Sequence, residues 1–314
     1  ILVLLLPAIL TATLVDWDAI NERIEEAEGV DLTDPNADDT QIGSDGDDML
    51  VTANGDDLLE GLFGDDDLRG NDGDDTLLGN QGNDTLFGGA DADSLVGGSG
   101  DDLAEGSFGN DFVDGRSGAD TVRGNEGDDT VLGGLGDDVV EGGAGNDSLE
   151  GGSGDDRMLG GVGSDTLFGD AGADTLFGGD GNDSVYGGGG ADSLQGGAGN
   201  DLVEGAIGDA DTVFGGDGDD TVRFGEEVFG GAGDDRLEGG ERMFGGDGDD
   251  QLFLRQAGQA TGSAGADTFV AYAGDPDGVP IIRDYNAGSD GDRIVLDVGD
   301  YGLTDLAVLT RVDA

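Results

Sequence analysis

An aspartate returns every nine residues from Asp48 to Asp201, eighteen times without a slip. Carboxylates are hard oxygen donors, and an evenly spaced series of them suits divalent cations. The chain has no His and no Cys, which removes the usual zinc sites, a Cys nucleophile and any Ser-His-Asp triad. It also has no Lys, so its glycine-rich loops are not phosphate loops. Paired carboxylates could serve a glycosidase. A nine-residue period running over Gly43–Glu204 instead reads as a ligand array, and no enzyme is expected within this chain.

The rest of each nine-residue unit says how the aspartates are positioned. A typical copy is GGAGNDSLE at Gly142–Glu150. The first position is Gly except at Thr52, and the fourth is Gly except at Asp91. The eighth is always apolar, from Leu50 and Leu59 to Leu194 and Val203, with Ala104 the smallest. This pattern predicts six loop residues followed by three strand residues, the middle one pointing inward. Glycines at positions one, two and four allow the positive φ of a tight turn. Two units make one coil, so residues 18 apart stack at about 4.8 Å. Asp48, Asp66 and Asp84 then share one column, and Asp57, Asp75 and Asp93 the opposite one.

Stacked carboxylates repel unless a cation lies between them. Carboxylates joined by loop carbonyls suit Ca²⁺ better than Mg²⁺, which demands a stricter octahedron. One apolar side chain per nine glycine-rich residues is a thin core against the entropy of ordering the chain. The metal-free form is therefore expected to be marginal or unfolded, with metal binding supplying folding free energy.

With these residues in hand, the chain resembles the repeats-in-toxin (RTX) family of calcium-binding β-rolls, whose pattern is G-G-x-G-x-D-x-U-x with U a large apolar residue. GGAGNDSLE, GGDGNDSVY at Gly178–Tyr186 and GGAGNDLVE at Gly196–Glu204 match it fully. The resemblance covers residues 43 to about 270. It implies many Ca²⁺ ions held by the sixth-position aspartates and loop carbonyls. Carried over residue by residue, the in-phase ligands are Asp48, Asp57, Asp66, Asp75, Asp84, Asp93, Asp102, Asp111, Asp120, Asp129, Asp138, Asp147, Asp156, Asp165, Asp174, Asp183, Asp192 and Asp201. Beyond them come Asp211, Asp220, Asp235, Asp250 and Asp267.

Departures from the pattern carry their own expectations. Ser44, Ala53, Leu62, Asn71 and Asn80 replace the second Gly, which predicts less regular loops near the start. After Glu204 one extra residue falls within Gly208–Asp211. Six-residue units at Phe224–Phe229 and Gly239–Phe244 lack a complete calcium loop.

The expected fold is all-β: a right-handed parallel β-roll with a C-terminal β-cap and a short N-terminal apolar helix. Five parts are expected: 1–15, an apolar export or membrane-anchor segment; 16–42, a helix (Trp17 to Ala27) and acidic linker; 43–204, the in-phase roll; 205–270, irregular repeats; and 271–314, the cap. The chain opens on ILVLLLPAILTATLV without an initiating Met, and a fragment of a longer protein is expected. Near the other end, Ile281, Ile282, Asp284, Tyr285, Gly288, Asp292, Ile294 and Leu296 resemble the closing segment of secreted RTX proteins. That resemblance implies a neighbouring type I secretion signal, while a plain cap over the open end of the solenoid explains the same residues.

The formal net charge is −61, from 73 acidic residues against 12 arginines. Such a chain avoids nucleic acid and anionic membrane surfaces. Roughly one Ca²⁺ per in-phase loop would offset about 36 of these charges. A permanently disordered acidic tract would share the charge and the 68 glycines, but not the apolar residue at every eighth position. Among outward positions, Glu105, Arg123 and Glu141 predict an alternating-sign ladder. Thr76, Ser94, Phe112, Thr130, Ser148 and Thr166 give a hydroxyl ladder that Phe112 interrupts, which argues against an ice-binding array.

These observations converge on a calcium-binding roll, secreted or at the bacterial cell surface, that folds on meeting external Ca²⁺. Its partners are then calcium ions, the type I secretion machinery and an unknown surface or matrix partner. Two other readings use the same residues: a structural or adhesive spacer, and the tail of a secreted hydrolase or toxin whose active domain lies elsewhere.

Overall fold

The computed structural model describes residues 36–207, 209–254, 258–272, 280–284 and 291–297. Within them the chain winds as a β-solenoid of two parallel sheets, one of 15 strands and one of 14. Successive strands alternate between the sheets, so each strand pairs with those two before and two after it. The register is the one the nine-residue period requires: Thr121 pairs with Val139, Val122 with Val140 and Arg123 with Glu141.

Strand length differs from the expectation. In most coils the ladder runs six residues, as in Thr76–Gln81 and Thr121–Glu126, and the turn is three. The strand enters positions one to three of the next unit because those residues keep pairing with the coils above and below. Asn80 pairs with Gly98 and Gln81 with Ser99 across the bend. The bend itself comes from a left-handed second residue, such as Gly134 at φ 117°.

The core is a single file from each sheet. Leu59, Leu77 and Leu95 lie in one file and Leu68, Leu86 and Ala104 in the other, all fully buried. The neighbours at positions seven and nine are half-buried or exposed, giving the alternation expected of a strand with one face inward. Leu50, Ile282 and Ile294, in the end coils, are only partly buried.

In most coils the second residue is left-handed even where it is not glycine. Leu62, Asn71 and Asn80 have φ of 81°, 83° and 74°. The expected irregularity is therefore absent at these three, because ladder pairing holds the bend: Leu62 pairs with Asn80 and Asn71 with Gly89 in the following coil, and Asn80 pairs on both sides, with Leu62 and Gly98. Ser44 and Ala53 do not adopt that conformation.

The phase break has the expected form. Asp192 and Asp211 are 19 residues apart yet occupy adjacent coils. Two later coils are 15 residues long, with Asp220 over Asp235 and Asp235 over Asp250. Near the C-terminus, Ile281–Ile282 extends one sheet and Arg293–Asp297 the other. The apolar opening segment and the helix expected at Trp17 to Ala27 lie outside the described residues. No described helix is long and apolar enough to cross a membrane.

Outer side chains stack in the same register. Arg123 donates to Glu105 at 2.7 Å and to Glu141 at 2.8 Å, as the alternating-sign ladder requires. Phe214, Phe229 and Phe244 stack with centroids 4.5 and 4.9 Å apart.

Candidate metal centres

Each sixth-position aspartate closes the turn, immediately before a strand, and its three oxygens have separate fates. Oδ1 of Asp120 accepts the amide of Asp102, one coil earlier, at 2.8 Å. Its backbone carbonyl accepts the amide of Val139 in the following coil at 2.8 Å. Its Oδ2 is buried and has no hydrogen-bond partner. The same arrangement recurs along both edges of the solenoid. Of the 23 sequence-derived candidates, Asp48 and Asp211 alone are missing from the orphaned Oδ2 atoms.

A buried, unpaired carboxylate oxygen is costly, and here the cost repeats in every coil. From Asp66 to Asp201, and at Asp220, Asp235, Asp250 and Asp267, burial is the main cause that raises the carboxyl pKa. It pushes Asp93 up to about 8; the amide of Asp75 opposes the rise, and the charges of Asp111 and Asp75 add to it. Burial likewise carries Asp102, Asp147, Asp156, Asp220 and Asp250 to about 7. A cation beside Oδ2 would compensate both the desolvation and the repulsion.

The first-position glycine keeps that space open. A methyl carbon on Gly115 would stand 2.6 Å from Asp120 Oδ2 and 2.7 Å from the Gly133 carbonyl oxygen of the following coil. One on Gly133 would stand 2.7 Å from both Asp138 Oδ2 and the Gly151 carbonyl. A carboxylate and a carbonyl from adjacent coils thus face one small cradle. Among the described residues no three carboxylates gather as a metal cluster. The columns supply one aspartate per coil, so most ligand oxygens would have to be backbone carbonyls, which suits Ca²⁺.

Three candidates differ from this plan. Asp48 Oδ2 already accepts the amide and hydroxyl of Ser44, at 2.5 and 2.9 Å. Asp211 Oδ2 accepts the amide of Ala206 at 2.6 Å. Ser44 and Ala206 both occupy the second position, and neither is left-handed there. At Asp57 the first-position residue is Thr52, whose hydroxyl donates at 2.9 Å to the Gly70 carbonyl that would border the cradle.

The two columns have unequal length. One runs Asp48, Asp66 and so on to Asp211, after which Glu226 and Glu241 stand at that edge. The carbonyl of Glu226 accepts the Arg242 amide at 3.0 Å, and that of Glu241 the Gln259 amide at 2.8 Å. Arg242 pairs with Glu226 and Glu227, so a guanidinium offsets the acids there. The opposite column continues through Asp220, Asp235, Asp250 and Asp267. It also includes two residues that the repeat pattern missed. The Asp39 amide donates to Asp57 Oδ1 at 2.6 Å, and the Asp267 amide to Asp292 Oδ1 at 3.2 Å. Asp39 lies nine residues before Asp48, a signal hidden by Gln41 at the apolar position. Asp292 follows Asp267 by 25 residues, which no short period finds.

Comparison with known families places this geometry. The family model described as the RTX calcium-binding nonapeptide repeat matches in overlapping stretches that together cover residues 42–203 and 208–252. Comparison with curated proteins gives no match. The matched stretches contain the aspartate columns from Asp48 to Asp250 and make up most of the solenoid. The chain belongs to the RTX calcium-binding nonapeptide repeat family, whose repeats bind Ca²⁺ in many copies.

Proposed function

We propose that this chain is a calcium-switched folding module that works outside the cell. The observation that carries the reading is the orphaned, buried Oδ2 repeated from Asp66 to Asp267. In this reading Ca²⁺ lies between adjacent coils, held by these carboxylates and the carbonyls of the turns. Asp48, Asp57 and Asp211 are weaker ligands because Ser44, Thr52 and Ala206 engage oxygens at their sites. At the low Ca²⁺ of a bacterial cytoplasm the acidic columns keep the chain unfolded and competent for type I export. Millimolar external Ca²⁺ then folds it. The family's characteristic placement among secreted and surface proteins agrees with this order of events.

Isothermal titration with CaCl₂ tests the reading. Binding of many ions per chain, coupled to a large ordering enthalpy, is the expected result. Uptake of only one or two ions would exclude it.

A second reading, a stiff surface spacer, draws on the unbroken ladder. The 15-stranded sheet spans about 67 Å at the usual strand spacing. Calcium would then set the rigidity of the rod, and its partner would be engaged at an end or on an outer face.

A further inference from the structure

The outer side of one bend changes character along the solenoid. In six consecutive coils of the 14-stranded sheet the ninth-position residues are Leu159, Phe177, Gln195, Phe214, Phe229 and Phe244, each in register with the next. Phe214, Phe229 and Phe244 stack into one apolar ridge. Beyond the bend, the third-position residues of the last five coils are Asp180, Ala198, Asp217, Ala232 and Asp247, all exposed. Between these two rows the second position is glycine throughout, as at Gly179 and Gly216, whereas earlier coils of this edge carry Asn71, Ser107 and Asn125 there. The result is a groove about 24 Å long, five strand spacings. A cavity of about 560 Å³ occupies its first half, with Phe177 on one wall, Asp180 and Asp217 on the other, and Gly179 and Gly197 as the floor. Arg157 lies at the near end and is held by Glu141 at 3.8 Å. Among the described residues no arginine pairs with Asp180, Asp217 or Asp247. Gln195 is exposed between Phe177 and Phe214, and among the described residues its amide makes no hydrogen bond.

We propose that this groove binds a basic partner peptide in the polyproline-II conformation, with Arg or Lys at every third residue. The unpaired acids recur every second coil, at about 9.6 Å. A polyproline-II chain turns once in three residues, about 9.3 Å, so one residue in three faces the acidic wall at nearly that interval. A β-strand repeats a face about every 6.8 Å, which matches neither one coil nor two. An α-helix returns to one face after seven residues, about 10.5 Å, and slips by about 2 Å over the two intervals from Asp180 to Asp247. The residues between the basic ones meet the aromatic wall, the contact that proline-rich segments make in aromatic-lined grooves. Such a peptide has no internal hydrogen bonds, and the Gln195 amide can meet its free carbonyls. Charge selects the partner: a chain of net charge −61 repels a second copy of itself and an anionic lipid surface, and steers a cationic segment in. Because successive coils build both walls, the groove exists only in the folded solenoid. Its dependence on calcium rests on the proposed folding switch, whereas its specificity rests on the groove alone.

The test is fluorescence anisotropy with the full chain in saturating Ca²⁺ at physiological ionic strength, with circular dichroism of each sample to establish the fold. The probe is a labelled peptide of three Pro-Pro-Arg triplets. A peptide of the same composition with its arginines contiguous measures attraction to bulk charge. The spaced peptide is expected to bind several-fold tighter than the contiguous one. Asp217→Asn should weaken the spaced peptide about threefold, the size of an exposed ion pair. Phe177→Thr should weaken it about tenfold, as loss of an aromatic anchor does. Asp72→Asn removes the same charge from the third position of an earlier coil, outside the groove, and should leave binding unchanged. Equal affinity for the two peptides, or equal loss in Asp72→Asn and Asp217→Asn, would overturn the proposal in favour of bulk charge. Sedimentation that shows a dimer of the chain, abolished by Phe177→Thr, would assign the groove to a second copy and also overturn it. Absence of peptide binding to a chain that has folded with Ca²⁺ would reject the groove and leave calcium-coupled folding intact. Selective binding to a chain already folded in excess chelator would keep the groove and reject the coupling.

Discussion

The amide of Asp120 donates to Oδ1 of Asp138, eighteen residues on, at 2.8 Å. This bond commits one carboxylate oxygen to holding neighbouring coils together and leaves the other, buried and unpaired, for a cation. Structure and ligation are thus divided between two atoms of one side chain. Asp138→Asn keeps an oxygen for the coil-to-coil bond and removes the charged ligand. It is expected to bind one or two fewer calcium ions and to need a higher Ca²⁺ concentration to fold. Asp48→Asn should change both quantities much less, because Ser44 already engages Asp48 Oδ2. Calcium titration of the two variants followed by circular dichroism makes the comparison.

Proton and calcium should compete for the same oxygens. Burial raises the carboxyls of the metal-free roll, to about 6 at Asp75, about 7 at Asp102 and about 8 at Asp93. A group raised on folding contributes stability below its unfolded pKa of about 4 and loses that contribution as pH climbs through its folded value. The metal-free roll is therefore most stable near pH 4 and loses this support progressively between pH 4 and pH 8. In excess chelator, β-structure should increase on acidification from pH 8 to pH 4. With calcium present, the ion needed for folding should rise in concentration as pH falls. A metal-free signal that does not change over that range would contradict this linkage.

The first-position glycine should matter for the ion more than for the backbone. Gly115 is not left-handed, so alanine is allowed there by its φ. Its methyl group would nevertheless enter the cradle between Asp120 Oδ2 and the Gly133 carbonyl. Gly115→Ala is expected to lose calcium at that coil and to lower stability in Ca²⁺ by about 1–3 kcal/mol. Denaturant titration in saturating calcium, with an ion count, distinguishes site loss from a general packing defect.

The neighbouring residue predicts the opposite sign. Arg116 is held at φ 76°, a region that costs a non-glycine residue roughly 1–2 kcal/mol. Its ion pair with Asp114 is largely exposed on the Arg side and contributes little. Arg116→Gly is expected to stabilise the calcium-bound roll by about 1 kcal/mol, read as a higher midpoint in urea.

Much of this architecture was legible because the solenoid converts sequence period directly into spatial register. The eighth-position apolar residues became the core, and the sixth-position aspartates became two columns, because every coil repeats the same contacts. What the period could not show was how pairing reshapes a unit. The strand extends through positions one to three because the bend pairs with the following coil, as Leu62 does with Asn80 and Asn71 with Gly89, and both stay left-handed despite their side chains. The site atoms were less legible than the site residues. That Oδ1 is structural and Oδ2 is free depends on coil-to-coil hydrogen bonding, which composition does not encode. Asp39 and Asp292 were missed for a related reason: register places them in the column, although their flanking residues do not follow the pattern.

The most direct test of calcium-coupled folding is far-UV circular dichroism of the full chain at pH 7.5, titrated with CaCl₂ and, in parallel, with MgCl₂. The account predicts a coil spectrum in excess chelator and a cooperative change to β-structure with Ca²⁺ but not with Mg²⁺. A full β-signal in chelator at that pH would contradict it, because the roll would then be stable with its aspartate columns unneutralised.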